Sequence, residues 1–263
     1  MVYVKKNSLD KIKGWNKDDI VILTDFDRTI TAGYSESSWG VLCKCDLVPA
    51  SYKSEREELQ QYYRPFEIDE SLDYETRNNL MIEWWNKHIA LFVKYKIPKS
   101  VIDTAAQNKD IMNFRAGAKE FLERMHDLNI PIIIVSAGVG NFIEQILIEH
   151  ECNFDNIHIV SNFIKFENGI ASGISDKIIH SLNKDIALSS AELKDRGNII
   201  VMGDMTTDIN MIPKELRDDA FKIGFLDENM EENLDVYKEM FDIVGVNNTS
   251  YTEIFENMTG VLK

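Results

Sequence analysis

Four short apolar runs, each followed by a polar or glycine-bearing loop, constrain this chain more than any other feature: IVILT at 20–24, PIIIV at 131–135, IHIV at 157–160 and IIVM at 199–202. Runs of that length, rich in β-branched residues, suit strands buried on both faces of a parallel sheet. Helical patterns accompany them. Residues 117–128 precede the second run, and VGNFIEQILIEH at 139–150 follows it with apolar residues three and four apart. The alternation predicts an α/β sandwich with a mainly parallel sheet. Weaker runs at 220–225 and 241–246 would extend that sheet, with a last helix from about residue 250. Asn168-Gly169, between Phe166 and Ile170, marks a type I′ hairpin.

The alternation stops between about residues 34 and 112. That stretch is rich in Glu, Tyr, Trp, Lys and Gln, and it carries long helical patterns, YKSEREELQQYYRPF and YETRNNLMIEWWNKHIALFVKYK, with no convincing strand. It reads as an all-helical insertion covering the first loop. The division is then a core from 1–33 and 113–263 with a helical cap at 34–112. Tyr62, Tyr63, Trp84, Trp85 and Phe92 are assigned to packing within the insertion, a minority of them facing a ligand.

Composition narrows the partners. Lysine and arginine total 29 against 44 acidic residues, a net charge of −15, so the overall field repels nucleic acid and anionic membrane surfaces. A small anion is accepted only where a metal ion or a lysine reverses the sign locally. The three cysteines, Cys43, Cys45 and Cys152, form no disulfide framework and lack a second pair at zinc spacing, which predicts free thiols in a reduced, cytoplasmic setting. Neither a signal peptide nor a membrane span is predicted.

Candidate chemistry gathers at the carboxyl ends of the strands, where open α/β sheets bind their ligands. Directly after IVILT stands Asp25-Phe26-Asp27-Arg28-Thr29, two carboxylates two residues apart on one side of the emerging chain. Like charges that close suit a divalent cation such as magnesium, although an acidic chain also uses such triplets as solvated or capping pairs. Ser136-Ala137-Gly138 follows PIIIV and reads as the opening of a helix, either a plain cap or a hydroxyl with backbone amides for an anion. Lys184, in HSLNKD, lies between the hairpin and a further helix. Gly203-Asp204-Met205-Thr206-Thr207-Asp208 follows IIVM, with acids four residues apart that serve equally as caps.

In that order, the four elements resemble the motifs of the haloacid dehalogenase (HAD) superfamily: DFDRT, VSAG, Lys184 and GDMTTD. The resemblance implies a Rossmann-like three-layer core. VSAGVGNFIEQIL, VSNFIKFENG, IIHSLNKD, NIIVMGD and MIEWWNKH further resemble the pyrimidine 5′-nucleotidase family, the cytosolic 5′-nucleotidase III group, over most of residues 21–210. That likeness selects Lys184 over Lys177 as the functional lysine and matches Glu83 to a glutamate that contacts the nucleotide base. The stretch YSESSWGVLCKCD departs from the family's cysteine-containing pattern, and Met205 stands where the family often has a smaller residue.

The implied chemistry is a magnesium-dependent hydrolysis of phosphate monoesters. Asp25 attacks phosphorus and forms an aspartyl-phosphate. Magnesium is held by Asp25, the Asp27 backbone carbonyl and Asp204, Lys184 adds positive charge, and Asp208 supports or orients Lys184. Asp27 serves as general acid and then base. Ser136 and the Ala137 amide hold the phosphoryl oxygens, while the insertion excludes water and selects the leaving group. A nucleoside 5′-monophosphate is the leading substrate. The alternatives are another small phosphate ester, and a signalling module phosphorylated on aspartate.

Overall fold

Alternation along the strands decides how the sheet is buried. Val21, Leu23, Ile133, Val135, Ile199 and Val201 pack on one face with Met211, Ile212 and Ala220, while Ile20, Ile22, Ile132, Ile134, Ile200 and Met202 pack on the other. Both faces are dry, as parallel strands between helical layers require. In this computed structural model, which describes residues 1–69, 71–108, 110–174, 177–186 and 196–258, the result is a three-layer α/β architecture.

The strands are β1 (Val2–Val4), β2 (Ile20–Thr24), β3 (Ile132–Val139), β4 (Ile157–Asn162), β5 (Ile164–Glu167), β6 (Ile170–Ile174), β7 (Asn198–Gly203), β8 (Phe221–Leu226) and β9 (Ile243–Val246). Seven of them form one sheet in the order β1-β9-β8-β7-β2-β3-β4, parallel except for β1. Three residues, VYV, make that antiparallel edge, and a run so short carries too little periodicity to be read as a strand. At the centre, β2 pairs with β3 on one side and β7 on the other. Chain order reverses there, which opens a crevice beyond the carboxyl ends of β2 and β7. The hairpin β5–β6 turns at Asn168 and Gly169, with φ of 51° and 78°. Two positive φ values are what a type I′ turn demands.

Helices α1 (Val41–Lys44), α2 (Ala50–Ile68), α3 (Tyr74–Lys94) and α4 (Lys99–Ala106) occupy the interrupted region. They are followed by α5 (Ala118–Asp127), α6 (Gly140–Glu149), α7 (Met230–Met240) and α8 (Tyr251–Glu256). Helix α2 packs on α3, and α3 packs on β6. Tyr63, Trp84, Trp85 and Phe92 are buried as assigned, whereas Tyr62 is 60% exposed and edges against the Tyr63 and Phe66 rings. Its position on α2 faces away from α3, so its assignment to the core is corrected. The helix expected after Lys184 lies outside the described residues, beyond a short 3-10 turn at Lys184–Ile186.

Two crossing segments join the helical region to the sheet. Residues 30–36 and 111–115 run antiparallel, with Arg115 N donating to Ile30 O at 2.8 Å, Ala32 N to Asn113 O at 2.9 Å and Glu36 N to Ile111 O at 3.1 Å. The Arg115 side chain is fully buried below this ladder. It donates to the carbonyls of Thr29, Arg28 and Thr249 and pairs with Asp227 at 2.6 Å. One guanidinium thereby ties together the loops after β2, β8 and β9.

Removing it leaves the Asp227 carboxylate without its cation, with only the Asn248 amide among the described residues donating to it, and several carbonyls without a donor. Arg115→Met should therefore cost roughly 3–5 kcal/mol, the usual effect of breaking a buried ion pair from one side. Urea denaturation measures this, and a loss below about 1 kcal/mol would show that the loops hold without the arginine.

Candidate active site

Asp25 is the first residue beyond β2, and its amide donates to Met202 O of β7 at 3.0 Å, so the central strand pair continues one step past its assigned end. Phe26 turns into the core, which sends Asp25 and Asp27 the other way. The carbonyl of Phe26 gathers the amides of Thr29, Ile30 and Thr31 into a tight turn. Among the described residues the Asp27 carbonyl receives no hydrogen bond.

Lys184 is the electrostatic centre. Its Nζ lies 2.6 Å from Asp25 Oδ1 and 2.7 Å from Asp208 Oδ1, and all three side chains are buried. The HSLNK stretch is built to deliver it there. Asn183 Oδ1 accepts from His180 N at 2.7 Å, His180 Nδ1 accepts from Leu182 N at 3.2 Å, and Asn162 grips both backbone groups of Ile179. Lys177, by contrast, is exposed.

Asp204 directly follows β7, and Asp208 lies within the 3-10 turn Thr206–Met211 that comes next. Asp208 Oδ2 accepts from Met205 N at 2.9 Å, which fixes its other oxygen on Lys184. A Cβ at Gly203 would lie 2.2 Å from Asp208 Oδ2, so the close approach of that carboxylate needs glycine. Carboxylate oxygens of Asp25, Asp204 and Asp208 lie within 4.8 Å of one another. Burial pushes the Asp25 carboxyl up to about 7, against the pull of Lys184, and raises Asp204 well above the carboxylate range, with Asp25 and Asp208 adding to the effect.

Asp27 is held differently. Both its oxygens accept from Ser38 N at 3.0 Å, and Oδ2 also accepts from Ser38 Oγ at 2.9 Å. Burial raises its carboxyl while these bonds lower it.

The reading of Ser136-Ala137-Gly138 as a helix opening is corrected. Strand β3 continues through these residues to Val139 with a shift in register, and α6 begins at Gly140. Ser136 Oγ, buried, accepts from Gly138 N at 3.1 Å instead of capping a helix. The Ala137 carbonyl accepts three side chains: Trp39 Nε1 at 2.8 Å, Trp85 Nε1 at 2.7 Å and Asn162 Nδ2 at 2.9 Å.

These groups open on a cavity of about 710 Å³. Asp25, Asp27, Ser136, Lys184, Asp204 and Met205 form its floor, and Trp39, Arg56, Trp84, Trp85 and His88 line it from the helical region. Glu83 is not among them. It lies on the exposed side of α3, paired with Lys87 at 2.7 Å, a surface i, i+4 arrangement. Glu67 of α2 does line the cavity, buried, with Ser181 Oγ donating to it at 2.7 Å and Arg64 beside it. Sequence reasoning passed over Glu67, Ser38 and Trp39, whose contacts join residues far apart in the chain.

The fold is of the haloacid dehalogenase type. Residues 23–259 match the profile described as pyrimidine 5′-nucleotidase (UMPH-1), and the chain belongs to that family. It is a phosphoric monoester hydrolase of the 5′-nucleotidase class. It is 34% identical over 238 residues to a 7-methylguanosine phosphate-specific 5′-nucleotidase of Drosophila melanogaster, covering 85% of this chain and 74% of the relative. The crystal structure of cytosolic 5′-nucleotidase IIIB bound to cytidine superposes with a TM-score of 0.87 at 28% identity, covering 99% of this chain and 93% of the other. A HAD-family hydrolase from Salmonella enterica serovar Typhi shares the fold, with a TM-score of 0.63 at 17% identity over 92% of this chain and 72% of its own. No helix among the described residues is long and apolar enough to cross a membrane, and the three cysteines are free.

The acidic cluster fits a hard divalent cation. Three carboxylates crowd together while the Lys184 ammonium contacts only two of them, Asp25 and Asp208, and the raised Asp25 and Asp204 groups mark a site short of positive charge. Magnesium should raise the thermal midpoint of the purified protein, by an amount equivalent to about 2.7 kcal/mol at a hundred times its dissociation constant. Asp204→Asn should abolish that rise while leaving the metal-free midpoint equal or higher, because it removes a crowded charge. A metal-induced rise that survives in the variant would place the ion elsewhere.

Proposed function

We propose that this chain hydrolyses nucleoside 5′-monophosphates with magnesium, through an aspartyl-phosphate on Asp25. The observation that carries the reading is the buried Lys184 ammonium shared by Asp25 and Asp208 at the floor of a nucleotide-sized cavity. An Asp25 oxygen attacks phosphorus as the bond to O5′ breaks, and Asp27 gives its proton to the departing alkoxide. Asp27 then takes a proton from water, which attacks the same phosphorus, releases phosphate and restores the Asp25 carboxylate. Lys184 offsets charge on Asp25 and on the transferring group, and Asp208 holds that ammonium in place. Asp25, the Asp27 carbonyl and Asp204 would hold magnesium, which would supply the further positive charge that a phosphate dianion requires beside these acids. The Ser136 hydroxyl and the Ala137 amide steady the phosphoryl oxygens.

The helical segment 34–112 acts as the cap. It supplies a wall of Trp39, Trp84, Trp85 and His88 on which a base can stack. Burial lowers His88 to about 3, so this ring meets the base as a neutral group. Glu67 is better placed than Glu83 to contact the base, since it lines the cavity. The names of the relatives, which refer to 7-methylguanosine phosphate and to cytidine, support a nucleotide over another ester.

A magnesium-containing panel of CMP, UMP, GMP, 7-methylguanosine 5′-monophosphate and p-nitrophenyl phosphate tests the substrate. Multiple turnover of at least one nucleotide is expected, and hydrolysis of the aryl phosphate alone would point to another small ester. Single turnover with stable phosphorylation would favour a signalling module. Asp25→Asn should abolish turnover while keeping the fold, and retained activity would remove Asp25 as the nucleophile.

A further inference from the structure

The three hydrogen bonds that hold Asp27 all come from one residue, Ser38, which lies in the first turn beyond the crossing segments and is fully buried. Its amide bridges both carboxylate oxygens. Its hydroxyl donates to Oδ2 at 2.9 Å and accepts from Val139 N at 3.0 Å, so the same oxygen also grips the end of β3. A Cβ at position 138 would lie 2.1 Å from Ser38 Oγ and 3.2 Å from Asp27 Oδ2, so only glycine leaves room for this junction. The neighbouring residue, Trp39, donates to Ala137 O at 2.8 Å. Residues 38 and 39 thereby staple the start of the helical region to the strand that presents Ser136.

We propose that Ser38 is a positioning residue for the proton transfer by Asp27, and that through it the seating of the helical region is coupled to the chemistry. The inference rests on the reading of Asp27 as general acid and base. Ser38 holds both oxygens of Asp27, and Asp27 lines the cavity where the leaving oxygen and the later water arrive. Loss of the hydroxyl leaves the amide bond in place but lets the carboxylate rotate. If the helical region lifts, Asp27 loses all three bonds at once, so productive proton transfer is confined to the seated state.

A defect that acts through proton donation falls hardest on poor leaving groups. CMP and 7-methylguanosine 5′-monophosphate release alkoxides and need the proton, whereas p-nitrophenolate leaves without it. Ser38→Ala should lower kcat/KM about tenfold on these nucleotides, a part of the 10²- to 10⁴-fold that a general acid contributes, and less than about threefold on p-nitrophenyl phosphate. Ser38→Thr, which keeps the hydroxyl, should restore most of the loss. In the Asp27→Asn background, Ser38→Ala should add nothing, since both changes remove one function. If Ser38→Ala does not fold, Ser38→Cys keeps the volume with a weak donor and should show the same split. Equal losses on both kinds of ester, or losses that multiply with those of Asp27→Asn, would overturn the inference and leave Ser38 a purely structural contact. A flat leaving-group dependence in Asp27→Asn itself would instead overturn the acid assignment, and the inference with it.

Discussion

One buried ammonium organises this molecule. Lys184 sits between Asp25, at the end of the central strand, and Asp208, in the turn after the neighbouring strand. Each carboxylate is in a place where an unpaired charge would be costly, and among the described residues neither has another cation in contact. The lysine in turn is held by a stretch whose own hydrogen bonds are local and nearly complete, from His180 to Asn183, anchored on Asn162 of β4. Three separate strand ends are thereby brought to one point. The parallel sheet supplies the meeting place because its order reverses at β2 and β7, but the lysine is what makes so many acids tolerable there.

The same crowding explains why the site needs a second source of positive charge. At an effective dielectric near 20, two like unit charges 4 Å apart repel by roughly 4 kcal/mol. Asp25, Asp204 and Asp208 approach within 4.8 Å with a single ammonium among them, and burial raises Asp25 and Asp204 further. A divalent cation would resolve both problems together, since it would neutralise the acids in the resting site and the phosphate dianion when it enters.

Much of this was legible because strand ends write their chemistry in consecutive residues. DFD and GDMTTD stand directly after apolar runs, and the pleat sends Asp25 and Asp27 to the side opposite Phe26 whatever the rest of the chain does. Lys184 was legible only through family likeness, since nothing in its spacing separates it from the exposed Lys177. Ser136 was misread as a helix opening because a glycine-bearing loop and a shifted strand register look alike in one sequence, and only the pairing of β3 with β4 decides between them. The insertion was harder still. Its helices follow from periodicity, but which side of α2 or α3 faces the cavity depends on how they pack. Glu83 and Glu67 illustrate this: each has a basic residue three or four positions away, Lys87 and Arg64, and what sets Glu67 apart is Ser181, 114 residues away, which donates to it inside the cavity.

How a chain of net charge −15 accepts a phosphate ester then becomes a question of distance. Exposed charges more than about 8 Å apart are largely screened at physiological salt, whereas the buried groups around Asp25 are not. The acidic surface therefore sets solubility and discourages polyanions, while Lys184, the metal-fitting acids and the inward-facing Arg56 set the potential that a small ligand meets inside. The indoles of Trp39 and Trp85 both donate to the Ala137 carbonyl and fasten the helical region to the end of β3. The acidic exterior and the cavity are thus joined at residues 136–139, where the helical region meets the strand.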